Sequence, residues 1–298
     1  MKKQILRLCS VFSSDLELFP FFIDHYKKMG VDYFHIILHM PQDMLHLIDE
    51  KLLVFREKGI TPEKIYTGNW SGAISTSLIN ETMSKYSDDW FIVADSDEFQ
   101  IYPNDIKKII NSKTDNVDYI SGCLLDRFAH DGDLPLIIYD KSIWEQYPIC
   151  GFFAFPVAYS WPYKITACKG HITLSEGSHH AVITEDHIIK NEIICQVHHF
   201  KWTGSFINKT LKKLKQESNG EWEEDFYPFY GDELRRTIDY LNSNNNKFNI
   251  NSELFRVEYS PAPKYECYSK WDEIARKLES WDMQDREKFI DSLLQISL

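Results

Sequence analysis

The residues of this chain best suited to chemistry are two aspartates, Asp95 and Asp97, that end a hydrophobic segment. The run from Trp90 to Ala94 is apolar, and its length is typical of a buried strand in a parallel sheet. Open α/β sheets bind ligands at the carboxyl ends of such strands. Two carboxylates one residue apart can share a hard divalent cation and leave coordination positions for a diphosphate. The segment therefore predicts a metal site, and the alternative is an acidic turn that caps the helix near Pro103.

Alternating strand and helix patterns precede this segment and would position it. The spacing of apolar residues predicts strands at 5–12, 33–38, 60–66 and 90–95, and helices at 20–30, 43–59 and 71–86. This alternation indicates βαβ units and a largely parallel sheet. A dinucleotide-binding Rossmann enzyme and a P-loop NTPase are not expected, because the sequence lacks the glycine motifs of both. A catalytic domain is expected at 1–204 and a helical region at 205–298.

Bulk composition narrows the class of protein. The 298 residues are 43% hydrophobic, which suits a folded globular chain. The net charge of -12 argues against nucleic acid as the main partner, because like charges repel. Six scattered cysteines are expected to be buried thiols, and no apolar run approaches the roughly 20 residues that span a bilayer. We expect a cytoplasmic protein.

A basic helical segment is the one feature that suggests a membrane. Its lysines are interleaved with Ile207, Leu211 and Leu214, and they are Lys209, Lys212, Lys213 and Lys215. An amphipathic stretch of this kind could rest on the inner face of an anionic membrane. The alternative is a packed helix with a basic outer face.

Several segments, taken in order, resemble GT-A glycosyltransferases related to families 2 and 92. They are 14–31, 89–99, 126–132 with 144–148, and 199–201 with Ser205 and Lys209. The first resembles the Asn-Glu, Leu-Pro-Glu-Trp, His and Gly-Val opening of these enzymes, with Ser14-Asp15 in place of Asn-Glu. The second resembles their Trp…Asp-x-Asp-Glu-Phe pattern. The resemblance covers residues 5 to 210, and the remaining tail has no support from it.

The resemblance implies an α/β GT-A fold, that of nucleotide-diphospho-sugar transferases, with a mostly parallel central sheet and a C-terminal helical extension. It implies metal-dependent, inverting transfer of a sugar from a nucleotide-sugar donor, a UDP-sugar in the first place. The acceptor would be a glycan or lipid-linked saccharide, as in polysaccharide biosynthesis, and the metal Mn²⁺ or Mg²⁺. The alternatives are a metal-dependent nucleotidyl- or phosphotransferase and a non-catalytic carbohydrate-binding relative.

Roles for individual residues follow from the same resemblance. Asp97 would be the direct metal ligand, and Asp95 would reach the metal through water or bind the ribose hydroxyl. Glu98 would turn away and hold the loop. His199 would be a further metal ligand, and His198 would face the opposite side because side chains alternate along a strand.

The remaining candidates are a general base for the acceptor hydroxyl, residues that contact the nucleoside, and lysines that contact phosphate. Inverting transfer needs a carboxylate near the acceptor oxygen, for which Asp131 and Glu145 rank first and Glu176 and Asp126 follow. A uridine-type base would lie against the first strand and the helix before Asp95, which nominates Phe12, Asn69 and Asn80. Lys164 and Lys169 could meet phosphate or an anionic acceptor, or be solvated surface charges. Six histidines lack zinc spacing with one another and with Cys168 and Cys195 and are expected to line an acceptor groove: His171, His179, His180, His187, His198 and His199.

Overall fold

A computed structural model describes residues 4–112, 117–182, 193–221, 230–265, 268, 270–279, 288, 290, 291, 294 and 295. Its strands are β1 (Leu6–Phe12), β2 (Tyr33–Met40), β3 (Lys64–Thr67), β4 (Trp90–Val93), β5 (Glu98–Ile101), β6 (Tyr119–Phe128), β7 (Ile149–Gly151), β8 (Tyr163–Lys169), β9 (Ile193–His199) and β10 (Glu258–Tyr259). Its α-helices are α1 (Phe19–Met29), α2 (Ile48–Glu57), α3 (Gly72–Ser84), α4 (Ile106–Ser112), α5 (Ile143–Gln146), α6 (Phe206–Ser218), α7 (Tyr230–Ser243) and α8 (Trp271–Glu279). The protein is of mixed α/β class, as predicted.

The chain divides into two compact units. Unit 1 contains Met1–Ser121, Lys164–Glu192 and Trp222–Tyr227, and unit 2 contains Gly122–Tyr163, Ile193–Glu221 and Pro228–Leu298. This division groups residues by spatial proximity, whereas the predicted boundary at 204 and 205 separates a catalytic part from a helical part. That boundary stays a prediction.

A parallel sheet organises unit 1. Strand β1 pairs in parallel with β2 on one side and with β4 on the other, and β2 pairs in parallel with β3. The order is therefore β4-β1-β2-β3, with β8 antiparallel to β4. The predicted βαβ units are confirmed for this part of the chain.

Local sequence explains where the helices of unit 1 begin and end. Pro20 lies in the first turn of α1, and Gly30 ends that helix with a φ of 89°, which a residue without a Cβ adopts easily. Ser71 caps α3, because its hydroxyl accepts a hydrogen bond of 3.0 Å from the N–H of Ile74. Helix α1 buries Phe19 and Phe22 against Phe12 of β1.

Two predicted elements of unit 1 differ from the structure. The helix expected from Asp43 is split into a 3-10 helix at Gln42–Leu47 and α2. The third strand was expected from residue 60 but begins at Lys64. Pro62 explains the late start, because proline has no N–H to donate to a neighbouring strand.

Unit 2 contains antiparallel strands and helices around an aromatic core. Strand β7 pairs antiparallel with both β6 and β10. Helix α8 buries Trp271 and Ile274 against Leu125 and Phe152. Helices α6, α7 and α8 agree with the helical region expected after residue 205, while β10 was not predicted. Within the part of the chain that the structure describes, no helix is long and apolar enough to cross a membrane.

Candidate functional site

The carboxyl ends of four parallel strands meet at one edge of the sheet in unit 1. Chain order runs from β1 outward to β2 and β3, and then returns to place β4 on the other side of β1. Such a reversal creates a crevice between the two neighbouring strands, where open α/β sheets bind ligands. Asp95 and Asp97 follow β4 at this edge.

The loop after β4 is held by a carboxylate of its own. Glu98 is buried, and its Oε2 accepts a hydrogen bond of 3.1 Å from the N–H of Asp95. Glu98 thus turns inward and fixes the loop, as the sequence predicts. The Asp95 side chain is 54% exposed, and Asp97 is half-buried.

A buried lysine neutralises part of this loop. Lys164 lies on β8, and its side chain is only 5% exposed. Its Nζ is 2.8 Å from Oε1 of Glu98 and also forms an ion pair with Oδ2 of Asp95. Burial raises the pKa of Glu98 to about 7, although the positive charge of Lys164 acts to lower it. The two carboxylates raise the pKa of Lys164 above its ordinary value, although burial acts in the opposite direction.

The two lysines considered for phosphate binding therefore have carboxylate partners. Lys164 pairs with Asp95 and Glu98, and Lys169 Nζ lies 2.9 Å from Oδ1 of Asp118. Sequence reasoning missed Lys164 as a partner of the acidic loop. The available signal was a lysine that precedes the buried segment Ile165–Cys168, where a charge must find a counter-charge.

The donor groups of this loop suit a hard divalent cation. Carboxylate oxygens are the ligands that Mg²⁺ and Mn²⁺ prefer, and Asp97 would provide one of them. Among the residues described, no three His, Cys, Asp or Glu side chains are grouped to hold a metal ion. A cation at Asp97 would thus take further ligands from water or from a bound molecule.

A shallow cleft lies at the same edge, beyond the ends of β1, β2 and β3. It encloses only about 10 Å³, and its lining residues are Val11, His39, Tyr66, Asn69, Trp70, Ser71, Ile74, Ser75 and Leu78. Trp70 is 39% exposed, so its ring is partly accessible to a ligand. The predicted residue Asn69 is part of this cleft.

His39 gives the cleft a polar atom. Its Nε2 donates to the carbonyl of Gly68 at 2.8 Å, which leaves Nδ1 as an acceptor. This Nδ1 is buried without a hydrogen-bond partner among the residues that the structure describes. Burial lowers the pKa of His39, which keeps the imidazole neutral near pH 7.

Phe12 and Asn80, also predicted to contact the nucleoside, have other surroundings. The Phe12 ring is buried edge-to-face against Phe19 and Phe22, at centroid distances of 5.1 and 5.0 Å. Its neighbour Val11 is the β1 residue that lines the cleft. The Asn80 amide donates to the carbonyl of Leu174 and accepts from its N–H, both at 3.0 Å.

Unit 2 contains the predicted ligand His199. Its Nδ1 lies 3.0 Å from Oδ1 of Asp126, and both residues are buried. The neighbouring His198 accepts a hydrogen bond of 3.0 Å from Nε of Arg127 instead. The two histidines thus have separate partners, as expected for adjacent residues of a strand. The metal role of His199 stays a prediction.

The carboxylates considered as general bases differ in their surroundings. Asp131 is 76% exposed and pairs with Nδ1 of His130 at 3.1 Å. Glu145 is exposed in the first turn of α5. Asp126 is buried and accepts four hydrogen bonds, which leaves it unsuited to collect a proton from a substrate. Glu176, in unit 1, closely approaches Gly72 at the start of α3.

A larger surface cleft of about 470 Å³ lies in unit 2, around the ion pair of Lys247 and Asp133. None of the predicted site residues lines it. The histidine groove expected from the sequence stays a prediction, and His187 lies outside the described residues.

Comparison with known proteins gives little guidance. No family model and no curated protein matches this chain. It is similar to the structure of HddC from Yersinia pseudotuberculosis, with a TM-score of 0.35 and 13% identity over 70% of this chain and 98% of that chain. It is similar to S. aureus TarS, with a TM-score of 0.29 and 10% identity over 84% and 47% of the two chains. A CMP:2-keto-3-deoxy-manno-octonic acid synthetase complexed with CTP gives a TM-score of 0.31 and 15% identity over 72% and 100%. Likeness this low carries no argument about function.

Proposed function

We propose that this protein is a metal-dependent GT-A glycosyltransferase that binds a nucleotide-sugar donor at the carboxyl edge of unit 1. The observation that carries the proposal is the arrangement of this edge. Strands β1, β2 and β3 end at an aromatic cleft, and β4, on the other side of β1, ends at Asp95 and Asp97. A nucleoside diphosphate could contact both features, with its flat base on the aromatic cleft and its diphosphate at the acidic loop.

The cleft is suited to the nucleoside. Trp70 and Tyr66 offer ring faces on which a base can stack. Asn69 offers an amide whose oxygen can accept from the N–H of a pyrimidine such as uracil. These features favour a UDP-sugar.

The acidic loop is suited to the diphosphate. A divalent cation, Mn²⁺ or Mg²⁺, supplies charge compensation for the departing nucleoside diphosphate. Asp97 would hold this cation, and Asp95 would reach it through water or bind a ribose hydroxyl. Glu98 and Lys164 keep the loop in place, because both are buried and hydrogen-bonded to it.

The acceptor, a glycan or lipid-linked saccharide, needs a carboxylate that takes the proton of its hydroxyl. Asp131 and Glu145 are the first candidates, since both are exposed. A direct displacement of this kind inverts the anomeric centre. Substitution of each carboxylate by its amide, with transfer and donor binding measured separately, identifies the base as the residue whose loss affects transfer alone.

A nucleotidyltransferase is the second candidate, because it would use the same cleft and the same carboxylates. The two reactions differ in their products. A glycosyltransferase releases a nucleoside diphosphate, whereas a nucleotidyltransferase releases pyrophosphate. Incubation with UDP-sugars, or with nucleoside triphosphates and sugar phosphates, followed by chromatography of the products, separates them. Nucleotide binding without either product would indicate the non-catalytic carbohydrate-binding relative.

Calorimetric titration tests the donor site directly. UDP, GDP and CMP are titrated with and without Mn²⁺ into the wild type, Asp97→Asn and Asp88→Asn. Asp88 is an exposed carboxylate that precedes β4 at its opposite end and serves as the matched control. We expect UDP binding that requires Mn²⁺ and weakens about tenfold or more in Asp97→Asn only. Absence of metal-dependent nucleotide binding, or equal weakening in both variants, would refute the proposal.

A further inference from the structure

Lys164 and Asp95 are brought together by the pairing of two strands. Strand β8 runs antiparallel to β4, with Ile92 opposite Ala167. Continuing this register by three residues places Lys164 opposite Asp95, and the two side chains form an ion pair. The contact is therefore a consequence of the sheet and not of a flexible surface side chain.

Lys164 is also held from its other side. Its Nζ lies 2.8 Å from Oε1 of Glu98, whose other oxygen accepts from the N–H of Asp95. The Lys164 ammonium, the Glu98 carboxylate and Asp95 thus each contact the other two. Because the lysine side chain is almost fully buried, it cannot move into water without breaking these contacts.

We infer that Lys164 is a positioning residue that keeps Asp95 from coordinating a divalent cation directly. This inference rests on the proposed function and specifies how the metal enters the site. An ammonium ion and a metal ion on the same carboxylate repel each other, so Asp95 is a poor ligand while Lys164 holds it. The cation would then bind through Asp97 and obtain its remaining ligands from the diphosphate.

The consequence is strong coupling between metal and nucleotide. Among the described residues no three metal-binding side chains are grouped, so we expect a cation at Asp97 to take further ligands from the diphosphate. The diphosphate also adds negative charge. By linkage, the nucleotide must raise the affinity for metal by the same factor by which metal raises the affinity for nucleotide.

Removal of the lysine should therefore increase the affinity of the protein for metal alone. Asp95, Asp97 and Glu98 carry three formal negative charges and Lys164 one positive charge, so the formal charge is -2. The double variant Lys164→Met/Glu98→Gln keeps this charge and frees Asp95, while its glutamine can still accept from the N–H of Asp95. Two control variants keep a positive side chain beside Asp95. Glu98→Gln alone keeps Lys164 paired with Asp95, and Lys164→Arg replaces the ammonium group with a guanidinium group.

The test measures Mn²⁺ binding without nucleotide, from the paramagnetic resonance signal of free Mn²⁺, in folded protein verified by circular dichroism. We expect Lys164→Met and the double variant to bind Mn²⁺ about tenfold more tightly than the wild type, Glu98→Gln and Lys164→Arg. General structural damage would not produce such a gain. The double variant has the same formal charge as the wild type, so if it gains no affinity over the wild type, the inference is wrong.

A second measurement compares Mn²⁺ binding to the wild type with and without saturating UDP, and it needs no variant. We expect UDP to raise the affinity about tenfold or more. Equal affinity in both conditions, with UDP bound, would overturn the inference. If UDP does not bind at all, the proposed function fails, while the comparison of variants with Mn²⁺ alone still decides the role of Lys164.

Discussion

The Nδ1 atom of His199 lies 3.0 Å from Oδ1 of Asp126 in the interior of unit 2. The same oxygen accepts from Nε1 of Trp202 at 3.0 Å, and Oδ2 accepts from the N–H groups of Phe153 and Ala154 at 2.8 Å each. One carboxylate therefore satisfies four buried donors and fixes the imidazole so that Nε2 is its remaining nitrogen. Metal-binding histidines are commonly oriented by such a carboxylate.

Removal of the Asp126 carboxylate should destabilise the protein severely. Asp126→Ala leaves four buried donors without their acceptor, and we expect a loss of about 3–5 kcal/mol in the free energy of unfolding. Asp126→Asn should lose less, because the amide keeps one oxygen, but its NH₂ group then faces two N–H donors. Urea denaturation measures both losses.

Asp140→Ala provides the matched control, since Asp140 is an exposed carboxylate of the same unit. We expect its unfolding free energy to stay within about 0.5 kcal/mol of the wild type. Equal stability of Asp126→Ala and Asp140→Ala would show that the four hydrogen bonds contribute nothing.

Arg7 should stabilise unit 1 from the amino end of β1. Its Nε lies 2.7 Å from Oδ2 of Asp89, and its guanidinium stacks on the Tyr86 ring at 3.7 Å. We expect Arg7→Ala to lose about 3 kcal/mol in thermal or urea unfolding. Arg7→Lys should recover only part of this loss, because an ammonium cannot both stack and form the planar hydrogen bonds.

The control for Arg7 is Arg56→Ala, which removes an exposed guanidinium that bonds to the carbonyl of Leu52 within its own helix. It should leave stability nearly unchanged. Nucleotide binding per folded molecule should also stay unchanged in Arg7→Lys, because the residue lies away from the carboxyl edge. A lysine variant as stable as the wild type would contradict the stacking argument.

Local patterns in the sequence were sufficient for the strand that precedes Asp95, and the resemblance of the same segment to GT-A enzymes was sufficient for the inward turn of Glu98. Both depend on residues within one short segment, and the structure confirms both. The separate partners of His198 and His199 also follow from strand alternation alone.

Features that depend on distant residues could not be predicted in this way. The partner of Lys164 is set by the register of β8 on β4, which joins residues 69 positions apart. The contact of Asn80 with Leu174 spans 94 positions. The orientation of Phe12 also depends on distant residues, because its ring is buried against Phe19 and Phe22 of α1 while its neighbour Val11 lines the cleft.

Protonation of His39 should make stability depend on pH. Burial lowers its pKa, so the unfolded chain binds a proton between the lowered value and about 6.5 while the folded protein does not. Stability is therefore complete above about pH 6.5 and is lost as the pH falls through this range. We expect His39→Gln, which can still donate to Gly68, to lose less stability between about pH 7.5 and pH 5.5 than the wild type.

His46→Gln is the control for this prediction, because His46 is an exposed histidine of the same unit. Its stability should depend on pH as that of the wild type does. Urea denaturation at several pH values provides the comparison, and parallel curves for His39→Gln and the wild type would show that His39 is not responsible.

Trp70 should determine how tightly the cleft binds a nucleotide. Its ring is partly exposed beside His39 and Tyr66, and stacking of a base on an aromatic ring contributes about 1–3 kcal/mol. We expect Trp70→Ala to weaken UDP binding about tenfold or more in calorimetry, and Trp70→Phe to retain most of the affinity. Tyr33→Ala, which removes an exposed ring at the amino end of β2, should leave UDP affinity unchanged. Equal losses in Trp70→Ala and Tyr33→Ala would indicate a general effect on the fold, and no loss in Trp70→Ala would place the base elsewhere.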